Sequence, residues 1–166
     1  MKKKAGNKKN NEKIAMIISI CIIVVVIMSL IVIGSRGNSI KRQLVEQTAS
    51  DIKYDKEKIN VYFFWGKGCP HCEELITFLD SLSKEYDSYF DLYTLEVWYN
   101  EENNELMNKL VESLDKEVEG IPCLIIGNQV FFGYDQSMEK EIKSTIKKEY
   151  QKKTKYDVYK KYKQEA

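Results

Sequence analysis

The distribution of apolar and polar residues divides the chain into one long uncharged run and a second part of shorter alternating segments. Residues Ile14–Ile33 carry no charged side chain and are interrupted only by Ser19 and Ser29. At 1.5 Å per residue, a helix of this length reaches about 30 Å, the thickness of the hydrocarbon core of a bilayer. The run therefore predicts one transmembrane helix.

Beyond this run the pattern predicts strands and helices in alternation. Lys58–Trp65 is rich in β-branched and aromatic residues, which is typical of a buried strand, and Phe90–Trp98 alternates apolar and polar positions as a second strand does. In three later segments apolar residues recur at helical spacing. The predicted helices are Cys69–Tyr86, Glu101–Glu119 and a last helix capped by Ser137, and the remaining predicted strands are Ile121–Gly127 and its hairpin partner Gln129–Phe132.

The predicted organisation follows from these segments. Residues 1–13 form a basic tail, residues 14–33 a transmembrane signal anchor and residues 34–57 a polar linker. Residues 58–150 hold the predicted strands and helices of one domain, and residues 151–166 form a charged extension that either prolongs the last helix or frays. Lysines concentrate before the span, so the positive-inside rule leaves the N-terminus in the cytoplasm and the domain outside.

A cleaved signal peptide is the competing interpretation of residues 14–33. Its apolar core would be shorter, about 7–15 residues, and a small-residue cleavage site would follow it. Neither such a site nor a lipobox cysteine follows Ile33, so we expect an uncleaved anchor and a single-pass protein of the cell membrane. The net charge of +1 over 166 residues gives no indication of a nucleic-acid partner.

The residues that carry chemistry lie where the first predicted strand gives way to a helix. Cys69-Pro70-His71-Cys72 follows a turn made by two glycines. At a helix N-terminus, unpaired amide groups and the helix dipole stabilise the Cys69 thiolate and lower its pKa. Cys72, one turn further in, suits the resolving role. Pro70 is tolerated in a first turn, and a protonated His71 would favour the thiolate further.

Two other interpretations of this cysteine pair remain. The pair supplies half of a tetrahedral zinc set, but His71 lies between the cysteines and is badly placed to complete it. A purely structural disulfide is the other, although so short a loop constrains the unfolded chain little. A redox pair without a cofactor or metal is the preferred hypothesis. The other cysteines, Cys21 in the span and Cys123, are interpreted as small apolar side chains, with a third redox thiol as the alternative for Cys123.

The cysteine motif resembles that of the thioredoxin superfamily, and its Pro-His dipeptide is typical of DsbA-like oxidases. Phe64-Trp65 stand where thioredoxins carry Phe-Trp before the active site. Gly120-Ile121-Pro122 resembles the cis-proline loop of the family, and the resemblance covers about Lys58–Tyr150. It implies an α/β, thioredoxin-like fold with a central mixed sheet of about four strands flanked by helices. In one departure, Phe63 stands where the family usually buries an acid.

The resemblance also implies a function. We expect an enzyme that exchanges a Cys69–Cys72 disulfide with cysteines of exported proteins or peptides, such as a bacteriocin, and that acts as an oxidant because of its Pro-His dipeptide. Ile121 and Pro122 would present backbone groups to an extended substrate, and Trp65 either packs in the core or lines that surface. A redox-recycling partner would restore the disulfide. The alternatives are a reductase or isomerase of the same fold and a non-catalytic thioredoxin-like module that binds a membrane partner.

Overall fold

A computed structural model describes Met16 and residues 46–165 of the chain. The predicted membrane span, residues 14–33, therefore lies outside the described residues except for Met16. Within the part of the chain that is described, no helix is both long and apolar enough to cross a membrane. The residues from 46 onward belong to one compact unit.

The unit is built on a mixed sheet of four strands in the order β2-β1-β3-β4. β1 pairs in parallel with β2 and antiparallel with β3, and β3 forms a hairpin with β4. This confirms the predicted α/β class with a four-stranded mixed sheet and is consistent with a thioredoxin-like fold. The strands are β1 (Ile59–Trp65), β2 (Phe90–Glu96), β3 (Cys123–Ile126) and β4 (Gln129–Phe132), and the α-helices are α1 (Pro70–Glu85), α2 (Glu101–Glu112), α3 (Glu139–Gln151) and α4 (Val158–Glu165).

Helices cover both faces of the sheet, and every residue of β1 is therefore buried. Alternate residues of β1, among them Val61 and Phe63, pack with α1 and α3 in one apolar cluster. Tyr62 and Phe64 point the other way and pack with α2 and α4 in a second cluster. A strand buried on both faces reads as a continuous apolar run, which is why the pattern of this segment predicted it correctly. The predicted inward face of α1 is also confirmed, since the buried residues of this helix are Cys72, Leu75, Ile76, Leu79 and Leu82.

Two predicted helix boundaries are wrong. α2 ends at Glu112 instead of Glu119, because Asp115 adopts a left-handed φ of 56° and the amide of Lys116 bonds back to the carbonyl of Val111 at 3.3 Å, which closes the helix. The turn before α3 is capped by Asp135, whose carboxylate accepts the amide of Ser137 at 2.7 Å, so Ser137 itself is not the cap.

The third correction concerns the C-terminal extension, which neither prolongs α3 nor frays. The chain leaves α3 in an extended conformation at Lys152 and forms a separate helix, α4. Val158 is fully buried and Tyr159 is 8% exposed. Val158 and Tyr159 stand among many lysines, so no apolar helical face was evident in the sequence of this segment.

Candidate active site

The loop between β1 and α1 brings Cys69 to the start of a helix. The amide of Cys69 donates to the carbonyl of Gly66 at 3.0 Å, which closes the turn. Gly68 has a φ of 85°, a conformation that favours glycine. Cys69 is the N-cap of α1, and its Sγ accepts a hydrogen bond from the amide of Cys72 at 3.3 Å. The amide of Cys72 also donates to the carbonyl of Cys69 at 3.1 Å, so the sulfur shares this donor of the first helical turn.

Cys69 and Cys72 are joined by a disulfide, with their Cα atoms 5.2 Å apart. Cys69 retains 6% exposure whereas Cys72 has none. Cys69, at the start of the helix, is therefore the less buried residue of the pair, and Cys72 is enclosed. The division between an attacked and a resolving cysteine stays a prediction.

The two residues between the cysteines are exposed. Pro70 occupies the first helical position, where its missing amide hydrogen has no helical partner. The side chain of His71 is 68% exposed, and its Nδ1 lies 3.4 Å from Oε2 of Glu74. His71 is therefore on the surface next to the cysteine pair.

The predicted cis-proline loop lies at the same end of the sheet. The Ile121–Pro122 peptide bond is cis, as the resemblance implied. Cys123 pairs with Phe64, so Pro122 lies across from the end of β1 at which the cysteine loop begins. Pro122 is buried, and Ile121 is half-buried against both apolar clusters. The structure thus brings Ile121 and Pro122 to the end of the sheet that carries the disulfide.

Two other predicted residues lie in the core. Trp65 is only 8% exposed, so its ring packs with the cysteine pair and offers almost no area to a substrate. Cys123 is fully buried on the opposite face of the sheet, among the residues that pack with α2 and α4. Burial raises the pKa of the Cys123 thiol far above its usual range. A neutral, enclosed thiol on the other face fits the interpretation of Cys123 as a core residue.

Sequence reasoning missed two residues at this end, Glu96 and Trp98. Glu96 ends β2 opposite Trp65 and is 3% exposed, and its carboxylate accepts backbone amides of the two adjacent loops. Trp98 is 53% exposed and lies beyond β2, although the predicted second strand extends to it. The one signal for Glu96 in the sequence is that this acid stands near the end of the predicted second strand.

An open groove of about 940 Å³ runs from the cysteine motif along α1. Pro70 and His71 line one end of it, and Tyr134 lies on its other side and donates to Oε1 of Glu139 at 2.8 Å. Burial and the neighbouring carboxylate of Glu139 raise the pKa of the Tyr134 hydroxyl. The acids that line the groove are Glu73, Glu74, Asp135 and Glu139. Among the described residues, no group of three or more His, Cys, Asp or Glu side chains could hold a metal ion.

Comparison with known proteins does not identify the family of this chain. No family model matches the chain, and no curated protein matches it significantly. Among solved structures, the chain is similar to the glutaredoxin Grx-1 from Archaeoglobus fulgidus, with 23% identity over 55% of this chain and 86% of that one, and a TM-score of 0.35. An identity and a score this low say nothing about the reaction, which has to come from the geometry of the cysteine pair.

Proposed function

We propose that this protein is a membrane-anchored thiol–disulfide oxidoreductase that faces the extracytoplasmic side and oxidises cysteines of exported proteins or peptides. The observation that carries the proposal is the Cys69–Cys72 disulfide, with the less buried sulfur at the N-cap of α1. The pair lies where β1 gives way to α1, at the same end of the sheet as the cis-proline loop, and Cys69 is its less buried residue. Disulfides persist outside the cytoplasm, which agrees with the location that the N-terminal sequence predicts.

The reaction transfers two electrons from the client to the cysteine pair. A client thiolate attacks Sγ of Cys69, forms a mixed disulfide and displaces Cys72 as a thiolate, which takes up a proton. A second client thiolate then attacks the client sulfur of the mixed disulfide and releases Cys69 as a thiolate. The client ends with one disulfide, the enzyme with two reduced cysteines, and a recycling partner must accept the two electrons.

The position of Cys69 favours the oxidising direction. When it leaves as a thiolate, its sulfur keeps the amide of Cys72 as a hydrogen-bond donor and lies at the positive end of α1. Stabilising the released thiolate makes the disulfide more oxidising. Phe63, which is fully buried in the cluster that contains Cys72, replaces the acid that would carry the Cys72 proton in relatives, so water or another group must carry it here.

The direction can be measured with the full-length chain in detergent. Equilibration with glutathione buffers, followed by alkylation, gives the reduction potential of the pair. An oxidase is expected near the DsbA value of about −120 mV, and a value near the thioredoxin value of about −270 mV would instead indicate a reductase. Failure to oxidise a reduced peptide that contains two cysteines would contradict the proposal.

Client capture in cells separates the enzyme from a non-catalytic binding module. In Cys72→Ala the Cys69 thiolate can still attack the disulfide of an oxidised client, which forms a mixed disulfide and releases one client thiolate. Because Cys72 is no longer there to displace the client from Cys69, part of the client should remain covalently attached until reductant is added. Cys69→Ala is the matched control, because the buried Cys72 should capture nothing. A partner that co-purifies equally with both variants and resists reductant would indicate a binding module.

The membrane anchor is tested separately from the chemistry. We expect the protein to fractionate with membranes and a protease added to intact, wall-stripped cells to remove the domain but leave the basic tail, residues 1–13. Protection of the domain would contradict the proposed orientation. The redox proposal would survive that result, since it depends on the cysteine pair alone.

A further inference from the structure

Glu96 is a buried carboxylate that the exchange reaction does not use. It is the last residue of β2, is 3% exposed and pairs with Trp65 in the sheet. Its Oε1 accepts the amides of Lys67 at 3.2 Å and Trp98 at 3.1 Å, and its Oε2 accepts the amide of Tyr99 at 2.9 Å. A buried carboxylate is tolerated when several donors face it, and these donors are main-chain amides.

The three amides belong to two different loops. Lys67 lies in the β1–α1 loop, two positions before Cys69, whereas Trp98 and Tyr99 lie in the β2–α2 loop. The carboxylate therefore joins the loop that leads to the disulfide with the loop that follows the neighbouring strand. The amide of Val97 also donates to the carbonyl of Trp65 at 2.8 Å, so the first residue of the second loop is bonded to the end of β1.

The hydrogen bonds to Glu96 also hold Trp98, an exposed aromatic residue of the β2–α2 loop, against the loop that leads to the disulfide. A Cβ at Gly66 would fall 2.7 Å from Cδ1 of Ile121 and closer still to the indole ring of Trp98, so the ring lies directly on Gly66. Its other side is open, because Trp98 is 53% exposed and its neighbour Tyr99 is 79% exposed. The ring of Trp98 and the side chain of Ile121, the residue before the cis-proline, thus both lie against Gly66 at the start of the cysteine loop.

We propose that Glu96 is a positioning residue and Trp98 a specificity-determining residue of the redox site. Glu96 holds the β2–α2 loop so that the indole ring stays on Gly66, and this ring binds the stretch of client polypeptide that flanks the cysteine attacked by Cys69. The inference rests on the proposed function and deepens it: the clients are polypeptides with an apolar or aromatic residue near that cysteine.

The physical reason lies in the kind of surface that Trp98 offers. A large, rigid ring that is already held in place loses little conformational entropy when a partner binds, and tryptophan is enriched among the residues that dominate interface energies. A small thiol reaches Cys69 without touching the ring, whereas a polypeptide that lies across Ile121 and Gly66 must contact it. Trp98 should therefore discriminate a peptide from a small thiol.

The first test compares a reduced peptide, which has two cysteines and a flanking phenylalanine, with glutathione as substrates of the full-length chain. For Trp98→Ala we expect the ratio of kcat/KM for the peptide to that for glutathione to fall about tenfold, mainly through KM, and Trp98→Phe should restore most of it. Tyr54→Ala is the matched control, since Tyr54 is 50% exposed but precedes the start of β1. An unchanged ratio in Trp98→Ala would overturn the proposal.

The second test asks whether Glu96 acts through Trp98. Glu96→Gln keeps the size of the side chain but loses its charge, so we expect the peptide KM to rise about threefold, because charge-assisted hydrogen bonds to the amides weaken. In a Trp98→Ala background the same change should add nothing to KM. A full additive effect, or a fall in kcat with KM unchanged, would overturn the positioning role. Glu149→Gln, at a carboxylate that is 4% exposed and lies against Gly127, is the control and should leave KM unchanged.

Failure of this inference can be told apart from failure of the proposed function. If the unmodified chain oxidises neither glutathione nor the peptide, the function itself is wrong. If it oxidises both and Trp98→Ala treats them as the unmodified chain does, only the roles of Glu96 and Trp98 are wrong.

Discussion

The two ends of the sheet each hold a largely buried carboxylate. Both carboxylates accept backbone amides, that of Lys160 at 2.8 Å in the case of Asp157, but Asp157 also accepts side-chain donors from the central strand. At the redox end, where Trp65 and Pro122 lie, Glu96 accepts backbone amides of the two nearest loops. At the opposite end, where β1 begins, Asp157 accepts the Tyr62 hydroxyl at 3.0 Å and the Asn60 amide at 2.8 Å.

The difference lies in what each carboxylate holds in place. Glu96 is linked to segments close to it in the sheet, so its charge arranges two loops around the disulfide and leaves an aromatic side chain exposed there. Asp157 precedes α4 and is bonded to side chains that lie 95 and 97 positions earlier in the chain. Its charge thus fastens the C-terminal helix to the central strand. If the proposed function holds, one end of the molecule is organised for contact with a client and the other for stability.

The largest effect, a loss of peptide oxidation, is expected from substitution of a cysteine. It separates the face of the sheet that holds the disulfide from the face that holds Cys123. Cys72→Ala should abolish oxidation of the reduced peptide, because no disulfide can form. Cys123→Ala should retain it, since that thiol is enclosed on the other face of the sheet. Peptide oxidation by the full-length variants measures this, and equal loss in both would mean that Cys123 takes part in the exchange.

The next effect should be confined to the opposite end. Asp157→Ala leaves the hydroxyl of Tyr62 and the amide of Asn60 short of an acceptor in a buried setting, so we expect the free energy of unfolding to fall by about 2–3 kcal/mol. Urea unfolding of the full-length chain measures it. The reduction potential of Cys69–Cys72 should stay the same; a shift in that potential would show that the two ends are coupled.

A smaller effect is expected from a matched pair of glycine substitutions. Gly127 has a φ of 60°, and a Cβ there would fall 2.6 Å from the buried carboxyl carbon of Glu149. We expect Gly127→Ala to cost about 1–3 kcal/mol of stability, because both the backbone and a buried group resist it. At Gly66 the obstacles are side-chain atoms, the half-exposed ring of Trp98 and Cδ1 of Ile121, so an added methyl group would push the ring off its place toward solvent. Gly66→Ala should therefore raise the peptide KM, and it should lower the urea midpoint less than Gly127→Ala does. A larger loss of midpoint in Gly66→Ala would contradict the contrast.

The smallest effect is a pH dependence of stability at the opposite end. Burial raises the pKa of Asp157 above 3.8, although its hydrogen bonds oppose the shift. Between the ordinary and the raised value, the folded state holds a proton that the unfolded state has released, so this group's contribution to stability falls as pH rises through that window. Asp157→Asn should remove this part of the pH dependence. Urea unfolding of both proteins across the acid range measures it, and identical profiles would mean that Asp157 does not titrate as described.

Much of the fold and the cysteine site could be predicted because the signals are local. β1 is a continuous apolar run, the inward face of α1 repeats at helical spacing, and the cysteine motif lies where one gives way to the other. The cis-proline was expected from a short resemblance at Ile121-Pro122 and is confirmed. The end of α2 was predicted wrongly because Leu114 continues the apolar spacing into a segment that packs on the core without being helical.

The sequence by itself determined the elements that depend on neighbouring residues: the strands, the helix faces and the placement of Cys69 at a helix start. Only the tertiary structure decided what Glu96, Asp157 and α4 do, since each has a partner that is distant in sequence; for Glu96 this partner is the amide of Lys67, 29 positions earlier. A hydrophobic period reports how one segment meets a core, because it depends on the spacing within that segment. A hydrogen bond between residues 97 positions apart, such as that of Asn60 with Asp157, leaves no such period, and so only folding reveals it.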